Sequence, residues 1–237
     1  MTTAAAAKRF WKDTTINAND DGYAIMLDGR AVKTPNGSAF SAPTSALADA
    51  ICAEWDAQVE KINPDEMPMF KFAVTAIDRV TPQRAAIVDE LASYGANDLL
   101  CYREAAEHQL AAHQETVWHP YLLWVDQELG VTLKCFEGIM PGQQDEDAKN
   151  VMRHLVDAYD DFALSGLHSL VTVTGSLILG LAAAADHQPM DQIIAAAQLD
   201  ELWQQEKWGY DDEADARLKS HQLVLQQAYS YLALLKS

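Results

Sequence analysis

The chain has 237 residues, of which 35 are acidic and 17 are basic, and its formal net charge is −18. This balance argues against a nucleic-acid partner, because binding phosphates requires a basic surface. It is equally unfavourable for binding to anionic membranes. Apolar residues make up 49% of the chain, which is enough to bury a substantial core in one large or two small domains.

The three cysteines, Cys52, Cys101 and Cys135, are scattered singly along the chain. Their spacing fits neither a zinc site nor a disulfide framework, so reduced thiols in a reducing compartment are the simplest expectation. The N-terminal residues MTTAAAAKRFW have neither an apolar core of signal-peptide length nor an Arg-rich amphipathic pattern. The sequence therefore predicts no export, although a presequence that had already been removed would leave no trace.

Residues 8–40 are predicted to form a small antiparallel β-sheet. Residues 23–27 and 30–34 flank Asp28-Gly29, a pair that favours a two-residue hairpin turn. Residues 35–37, Pro-Asn-Gly, supply a second turn.

From residue 43 onward the apolar period changes to that of helices. The predicted helices cover about 44–60, 70–80, 82–94, 107–129, 145–163, 189 onward and 213–235. Pro120 is expected to kink or break one of them, residues 131–136 could form a strand, and 138–142 a loop. The sequence thus predicts an α+β protein with a β-rich N-terminal domain, residues 1–42, followed by a mainly α-helical domain, residues 43–237.

The stretch 167–185 carries no Asp, Glu, Lys or Arg, and we expect it to form a buried central helix. A membrane span is the rival interpretation, but His168 and an acidic flank disfavour it. The β-branched run 171–174 could instead begin as a strand. Small residues recur at four-residue steps: Thr172, Ser176, Gly180 and Ala184. This row would let a neighbouring backbone approach closely.

Motifs for cofactors and metals are absent from the sequence. His108, His113 and His119 are five and six residues apart and do not share a helical face, as a zinc pair would. There is no phosphate-binding loop, no dinucleotide fingerprint and no GxSxG nucleophile motif. The sequence therefore predicts no metal and no cofactor.

The most informative segment covers residues 199–215, LDELWQQEKWGYDDEAD. Leu199, Leu202 and Trp203 define an apolar stripe at helical spacing, and Glu206 falls on the same stripe. A carboxylate at such a position must be paired, neutralised or used, because burying it alone costs several kcal/mol.

Three interpretations of this segment remain open. The first is a solvated acidic helix end, which would gain support if Glu206 paired with Lys207 or Arg217. The second is a partner-binding patch, since tryptophans beside charged residues are typical of interface centres. The third is a carboxylate pair for acid–base catalysis, which no nucleophile or cofactor motif accompanies.

Seven segments of the chain, taken in order, resemble the assembly chaperone of the F-type ATP synthase catalytic head. They are GYAIMLDGRAVKTP at 22–35, EWDAQVEKINPDEMP at 54–68, TAIDRV at 75–80, NDLLCYRE at 97–104, HPYLLWVDQELGV at 119–131, TGSLILGLA at 174–182 and LDELWQQEKWGYD at 199–211. The resemblance implies a non-enzymatic chaperone that binds the unassembled α subunit and has no small-molecule substrate. It would shield the surface that later meets the β subunit until the ring assembles. It also implies a β-rich N-terminal domain joined to a helical one.

The resemblance assigns importance to the QxExWG segment, whose acidic residue is Glu206 here and which Trp208 and Gly209 complete. Trp55 matches a further family position that is sensitive to substitution, although a core tryptophan explains that sensitivity equally well. Together with the absent presequence, the resemblance implies a bacterial cytoplasmic member. A mitochondrial matrix protein is the alternative if a presequence has been removed.

From these residues we expect Trp203 and Trp208 to cover an apolar surface of the α subunit. The acidic residues beside them, Asp200, Glu201 and Glu206, would meet its basic groups. The runner-up is a hydrolase with an acidic pair around Glu206, but Asp200 and Glu206 differ by about 240° around a helix of 3.6 residues per turn. A third possibility is a subunit that stays in its complex.

Overall fold

The computed structural model of the chain describes residues 8–138, 142–209 and 211–237. Its strands are β1 (Thr14–Asn19), β2 (Gly22–Leu27), β3 (Arg30–Ala31), β4 (Tyr102–Arg103) and β5 (Phe136–Glu137). Its α-helices are α1 (Ser45–Asp56), α2 (Pro68–Thr75), α3 (Thr81–Ala96), α4 (Gln109–Leu129), α5 (Glu146–Asp157), α6 (Asp161–Thr174), α7 (Leu177–Ala184), α8 (Met190–Ala197), α9 (Leu199–Trp208) and α10 (Asp212–Leu235). The predicted α+β class is confirmed.

The N-terminal sheet is antiparallel in the order β1-β2-β3, as the turn chemistry predicts. Leu27 pairs with Arg30 across the predicted hairpin, and both turn residues have positive φ, 48° at Asp28 and 77° at Gly29. These angles suit the two-residue turns that match strand twist. The Asp28 carboxylate accepts backbone hydrogen bonds from Lys12 at 3.0 Å and Asp13 at 2.9 Å, which hold the start of β1 against the turn.

The first compact unit comprises the described residues up to Arg84 together with 161–166 and 230–237. Its core contains a chain of aromatic contacts, with ring centroids 5.2 Å apart for Trp11 and Trp55 and 5.1 Å apart for Trp55 and Phe70. Trp55 is buried, so its surroundings favour a packing role for this side chain. The division at residues 42 and 43 stays a prediction; it separates the three-stranded sheet from the first helix.

The second compact unit comprises residues 85–160 and 167–229. Every residue of α7 is buried, which agrees with the expected burial of the stretch 167–185. That stretch is, however, not one helix. It breaks after Thr174, where Gly175 has φ +70° and Ser176 is extended, and the β-branched run before the break is helical.

The break is stabilised by a local helix cap and by a carboxylate from a distant part of the chain. The Ser176 hydroxyl oxygen caps α7 by accepting from the Leu179 N–H at 3.0 Å. The buried Asp98 carboxylate accepts from the Ser176 hydroxyl at 2.7 Å and from the Ile178 N–H at 3.1 Å. Because helix N-termini carry N–H groups without partners inside the helix, this carboxylate makes a second helix start at residue 177 favourable.

Gly180 permits the close approach between α7 and the end of α6. A Cβ added at Gly180 would lie 2.5 Å from Val171 Cγ2 and 3.3 Å from its backbone nitrogen. The free energy of unfolding of the Gly180→Ala variant should therefore be about 1–3 kcal/mol lower than that of the original chain, because this is the usual cost of overpacking a core. Urea denaturation measured on the full chain gives this difference.

The Val171→Ala substitution provides the control for that prediction. Shortening Val171 removes the Cγ2 atom that an alanine at position 180 would strike, so the double variant should lose less stability than the two single variants combined. Strictly additive losses would show that Gly180 does not act through this contact.

Other elements differ from the sequence-based expectations in extent. Helix α4 continues through Pro120, which removes one backbone hydrogen bond but leaves the buried neighbours Trp118 and Tyr121 in the core. The expected strand at 131–136 is reduced to β5, which pairs in parallel with β4. Of the expected loop at 138–142, residues 139–141 lie outside the described residues. In the parts of the chain that are described, no helix has the length and hydropathy needed to span a membrane.

Candidate partner-binding surface

Helix α9 carries the predicted partner-binding residues, and buried polar side chains anchor its first turn. Gln198, just before the helix, donates from Nε2 to the Leu218 carbonyl at 3.2 Å and accepts from Gln222 Nε2 at 2.9 Å. Leu199 is buried beside it. These contacts attach the start of α9 to α10.

Gln114 of α4 connects the first turn of α9 to the segment before α4. Its Oε1 accepts from the Glu104 N–H and its Nε2 donates to Asp200 Oδ1, each at 2.8 Å. Burial raises the pKa of the Asp200 carboxyl, and the hydrogen bond from Gln114 opposes that shift. Asp200 is thus a half-buried anchor of α9 and not a freely exposed acid.

A groove of about 610 Å³ runs along the C-terminal half of α9. Its lining includes apolar, acidic and basic side chains: Leu110, Trp203, Trp208, Glu104, Glu107 and Lys207. We call it the α9 groove. The lining has two carboxylates, from Glu104 and Glu107, and one ammonium, from Lys207. The carboxylates outnumber the ammonium, so the rim of the groove is negatively charged.

The two tryptophans occupy different positions in the α9 groove. Trp203 is half-buried, with the Lys207 ammonium 4.7 Å from its ring centroid and the His113 ring at 5.9 Å. Trp208, at the end of the helix, is 80% exposed. The chain bends away directly after it at Gly209, whose φ is +99°. A large aromatic surface therefore faces solvent at the edge of an acidic groove.

The predicted buried stripe on α9 is wrong beyond Leu199. Leu202 is 43% exposed and Glu206 is exposed, whereas the inward residue of the last turn is Gln205, which is 8% exposed. The reason is that neighbouring elements cover the start of α9, where Leu199 is buried. In the later turns, the side of the helix that carries Leu202 and Glu206 faces solvent. Glu206 is therefore not a buried charge, and burial does not require it to have a partner.

Glu206 and Trp208 lie on different sides of the helix. Two residues correspond to about 200° at 3.6 residues per turn, and Glu206 does not line the α9 groove. Arg217 pairs with Glu201 at 3.1 Å, and Lys207 lies over Trp203. No ion pair of Glu206 is found among the described residues. Trp203 and Trp208 thus line one groove that Glu206 does not line, although Glu206 lies one helical turn from Trp203.

The acidic residues that follow α9 have local partners. Asp211 accepts from the Glu213 N–H at 3.0 Å, and Asp215 pairs with Lys219 at 2.7 Å. Acidic side chains in a first helical turn are also favoured by the helix dipole. A solvated helix end accounts for these residues.

The histidines do not form a metal site. His108 caps α4 by accepting from the Leu110 N–H at 3.2 Å, and His119 lies 3.4 Å from Glu115. Within the described ranges no group of three or more His, Cys, Asp or Glu side chains could hold a metal ion.

Sequence reasoning identified Trp203 and Trp208 but missed the opposite wall of the α9 groove. Glu104, Glu107 and Leu110 come from the start of α4 and the segment before it, far from α9 in sequence. Gln114, which links that wall to Asp200, stands in a polar part of α4. No local pattern distinguishes it from a surface glutamine.

Comparison with known proteins identifies the class of this fold. The crystal structure of Atp12 from Paracoccus denitrificans is 38% identical in sequence and superimposes with a TM-score of 0.94, covering 97% of this chain and 98% of that chain. Protein atp12, mitochondrial, of Schizosaccharomyces pombe is 23% identical over 87% of this chain and 75% of its own length. Protein ATP12, mitochondrial, of Saccharomyces cerevisiae is 24% identical over 91% and 82%.

These similarities define a chaperone class. The model of the ATP12 chaperone protein family matches residues 8–126, about half of the chain, and the chain belongs to this family. The resemblance to ATP synthase assembly chaperones is thereby confirmed at the level of the family.

Proposed function

We propose that this chain is an assembly chaperone of the F-type ATP synthase that binds the unassembled α subunit. In this proposal it shields the subunit interface of the α subunit until the catalytic ring assembles, and it catalyses no reaction. Family membership supports the chaperone role. The observation that carries the binding mode is Trp208, 80% exposed at the edge of the α9 groove.

The chemistry of the α9 groove suits an apolar protein surface flanked by basic groups. Trp203 and Trp208 provide aromatic area, and aromatic residues dominate the energy of protein interfaces. Glu104 and Glu107 line the groove and Glu201 and Glu206 lie outside it on α9, so that negative charge surrounds the groove. Such charges set the encounter rate and orientation more than the affinity, which suits a chaperone that must release its client.

Co-purification of the tagged chain with an isolated α subunit tests the proposal. We expect the α subunit to be retained in an equimolar complex, and a β subunit produced in the same way to be absent. Equal retention of both subunits, or of neither, contradicts the assignment of the client. Stoichiometric retention of this chain in purified ATP synthase would instead indicate a structural subunit.

The alternative function, a hydrolase with an acidic pair around Glu206, finds no matching arrangement on α9. Asp200 is half-buried against Gln114, whereas Glu206 is exposed on another side of the helix. Turnover of a small molecule by the purified chain would nevertheless overturn the chaperone proposal.

A bacterial cytoplasmic location is part of the proposal. The chain is 38% identical to the Paracoccus denitrificans protein, compared with 23% and 24% for the two yeast proteins whose names call them mitochondrial. The difference favours a bacterial member of the family. The mitochondrial matrix is the alternative location.

A further inference from the structure

Strands β4 and β5 bring two cysteines side by side that are far apart in sequence. Tyr102–Arg103 pairs in parallel register with Phe136–Glu137, so Cys101 and Cys135 each occupy the position directly before the paired residues. Neighbouring strands lie about 4.8 Å apart, and the two Cα atoms of a disulfide are usually about 4.4–6.8 Å apart. Since each cysteine is one residue from a paired position, the register brings their backbones close to the spacing that a disulfide spans.

The side chains around the two cysteines agree with this placement. The rings of Tyr102 and Phe136 lie on one side of the strand pair, with centroids 5.8 Å apart. The two cysteines lie just outside the strands: Cys101 ends the 3-10 helix Leu99–Cys101, and Cys135 directly precedes β5. Burial is the main cause that raises the pKa of the Cys101 thiol, and the neighbouring Asp98 and Cys135 raise it further, while Arg103 lowers it.

The two thiols differ in access to solvent. Cys101 is fully buried, whereas Cys135 is exposed and lines a cavity of about 400 Å³ together with Arg103 and Phe136. An oxidant dissolved in water therefore reaches Cys135 first. Cys101, which is buried near it, is the second thiol.

We propose that Cys135 and Cys101 form a redox-sensitive thiol pair that a peroxide converts to an intramolecular disulfide. The Cys135 thiolate attacks one peroxide oxygen, the O–O bond breaks, and a sulfenic acid forms. Cys101 then gives up its proton as its sulfur attacks the Cys135 sulfur; the S–O bond of the sulfenic acid breaks, and the hydroxide that leaves Cys135 takes up that proton to form water. The two thiols lose two electrons and two protons in total, and hydrogen peroxide is reduced to two molecules of water.

Treatment of the purified full-length chain with hydrogen peroxide tests this site. We expect a mass loss of about 2 Da per chain, the two hydrogens removed by disulfide formation. After denaturation one cysteine, Cys52, should react with an alkylating reagent, whereas three react before oxidation. Proteolysis should release a peptide that links Cys101 to Cys135. The oxidised chain should melt about 5 °C higher than the reduced chain, because the disulfide constrains the unfolded state.

Three single variants separate this site from unspecific oxidation. Cys52→Ser should behave like the original chain, since Cys52 lies in the other unit. Cys135→Ser should show no mass loss. Cys101→Ala should leave a sulfenic acid at Cys135 that a trapping reagent captures. Sulfinic or sulfonic acid at Cys135 in the original chain, with Cys101 still open to alkylation after denaturation, would overturn the proposal.

Discussion

Replacement of Asp98 by alanine should lower the free energy of unfolding by about 3 kcal/mol at pH 7, since each buried polar group left without a partner costs about 1–3 kcal/mol. The carboxylate accepts from the N–H groups of Leu100 and Ile178 and from the Ser176 hydroxyl, and it is fully buried. All three donors would lose this acceptor in the variant. Relief of the buried charge offsets part of the loss, so the net effect is smaller than the sum of the three costs.

The loss should depend on pH in a direction that the pKa of Asp98 determines. Burial raises that pKa from 3.8 to about 6, although the hydrogen bonds from Ser176, Ile178 and Leu100 oppose the shift. Between these pH values the folded chain retains a proton that the unfolded chain has released. The stabilisation that this retained proton gives to the folded chain is therefore complete below pH 4 and is lost as the pH rises through 6. The difference between pKa 3.8 and about 6 corresponds to about 3 kcal/mol in the free energy of unfolding.

Denaturant titrations of the original chain and of Asp98→Ala at pH 7, 6, 5 and 4 test this dependence. The stability difference between the two proteins should grow as the pH falls. Asp28→Asn is the matched control, because backbone hydrogen bonds from Asp13 and Lys12 lower the pKa of Asp28, and asparagine tolerates its positive φ. Because the pKa of Asp28 is lowered from 3.8, the stability difference between Asp28→Asn and the original chain should stay nearly constant from pH 7 to pH 4. A constant stability difference between the original chain and Asp98→Ala would show that the Asp98 carboxyl of the original chain does not titrate in this pH range.

Asp98 also illustrates which features of the fold sequence patterns predict. The Asp28-Gly29 hairpin depends on residues adjacent in sequence, and the sequence predicts it correctly. The break between α6 and α7 depends on Asp98, far away in the chain, meeting Ser176 and Ile178. Periodicity in the stretch 167–185 contains no information about that contact, so the sequence predicts one helix instead of two.

The candidate partner-binding surface likewise combines features that the local sequence predicts with features that depend on distant residues. The composition around Trp203 and Trp208 predicts a protein-binding segment, because aromatic residues are enriched at protein interfaces, and both side chains line the α9 groove. Periodicity misplaced Glu206, since a helical pattern shows which residues share a face but not whether neighbouring elements cover that face. Gln114 and Glu104, which build the opposite side of the α9 groove, required the packing of α4 to be known.

The Trp208→Ala variant should weaken capture of the α subunit at least tenfold while leaving the melting temperature of the free chain within about 1 °C, as is usual for exposed positions. This prediction depends on the proposed function. A side chain that is 80% exposed contributes little to the folded monomer, whereas an exposed tryptophan covered on binding typically contributes more than about 1.4 kcal/mol, a factor of ten in affinity. Competition binding and calorimetry of the same samples measure the two quantities.

Two further variants show whether Trp208 and Glu206 act in the same way. Glu206→Ala should weaken capture by about two- to fivefold, mainly because association becomes slower, since exposed charges act on encounter. Added salt should abolish this difference between the variant and the original chain. Phe10→Ala is the matched control: Phe10 is 68% exposed but lies in the other unit, so its loss should not change binding. Unchanged capture by Trp208→Ala, with reduced capture by Phe10→Ala, would show that the client binds the N-terminal unit and not α9. If Glu206→Ala instead lowers the melting temperature markedly, the carboxylate stabilises the chaperone and does not contact its client.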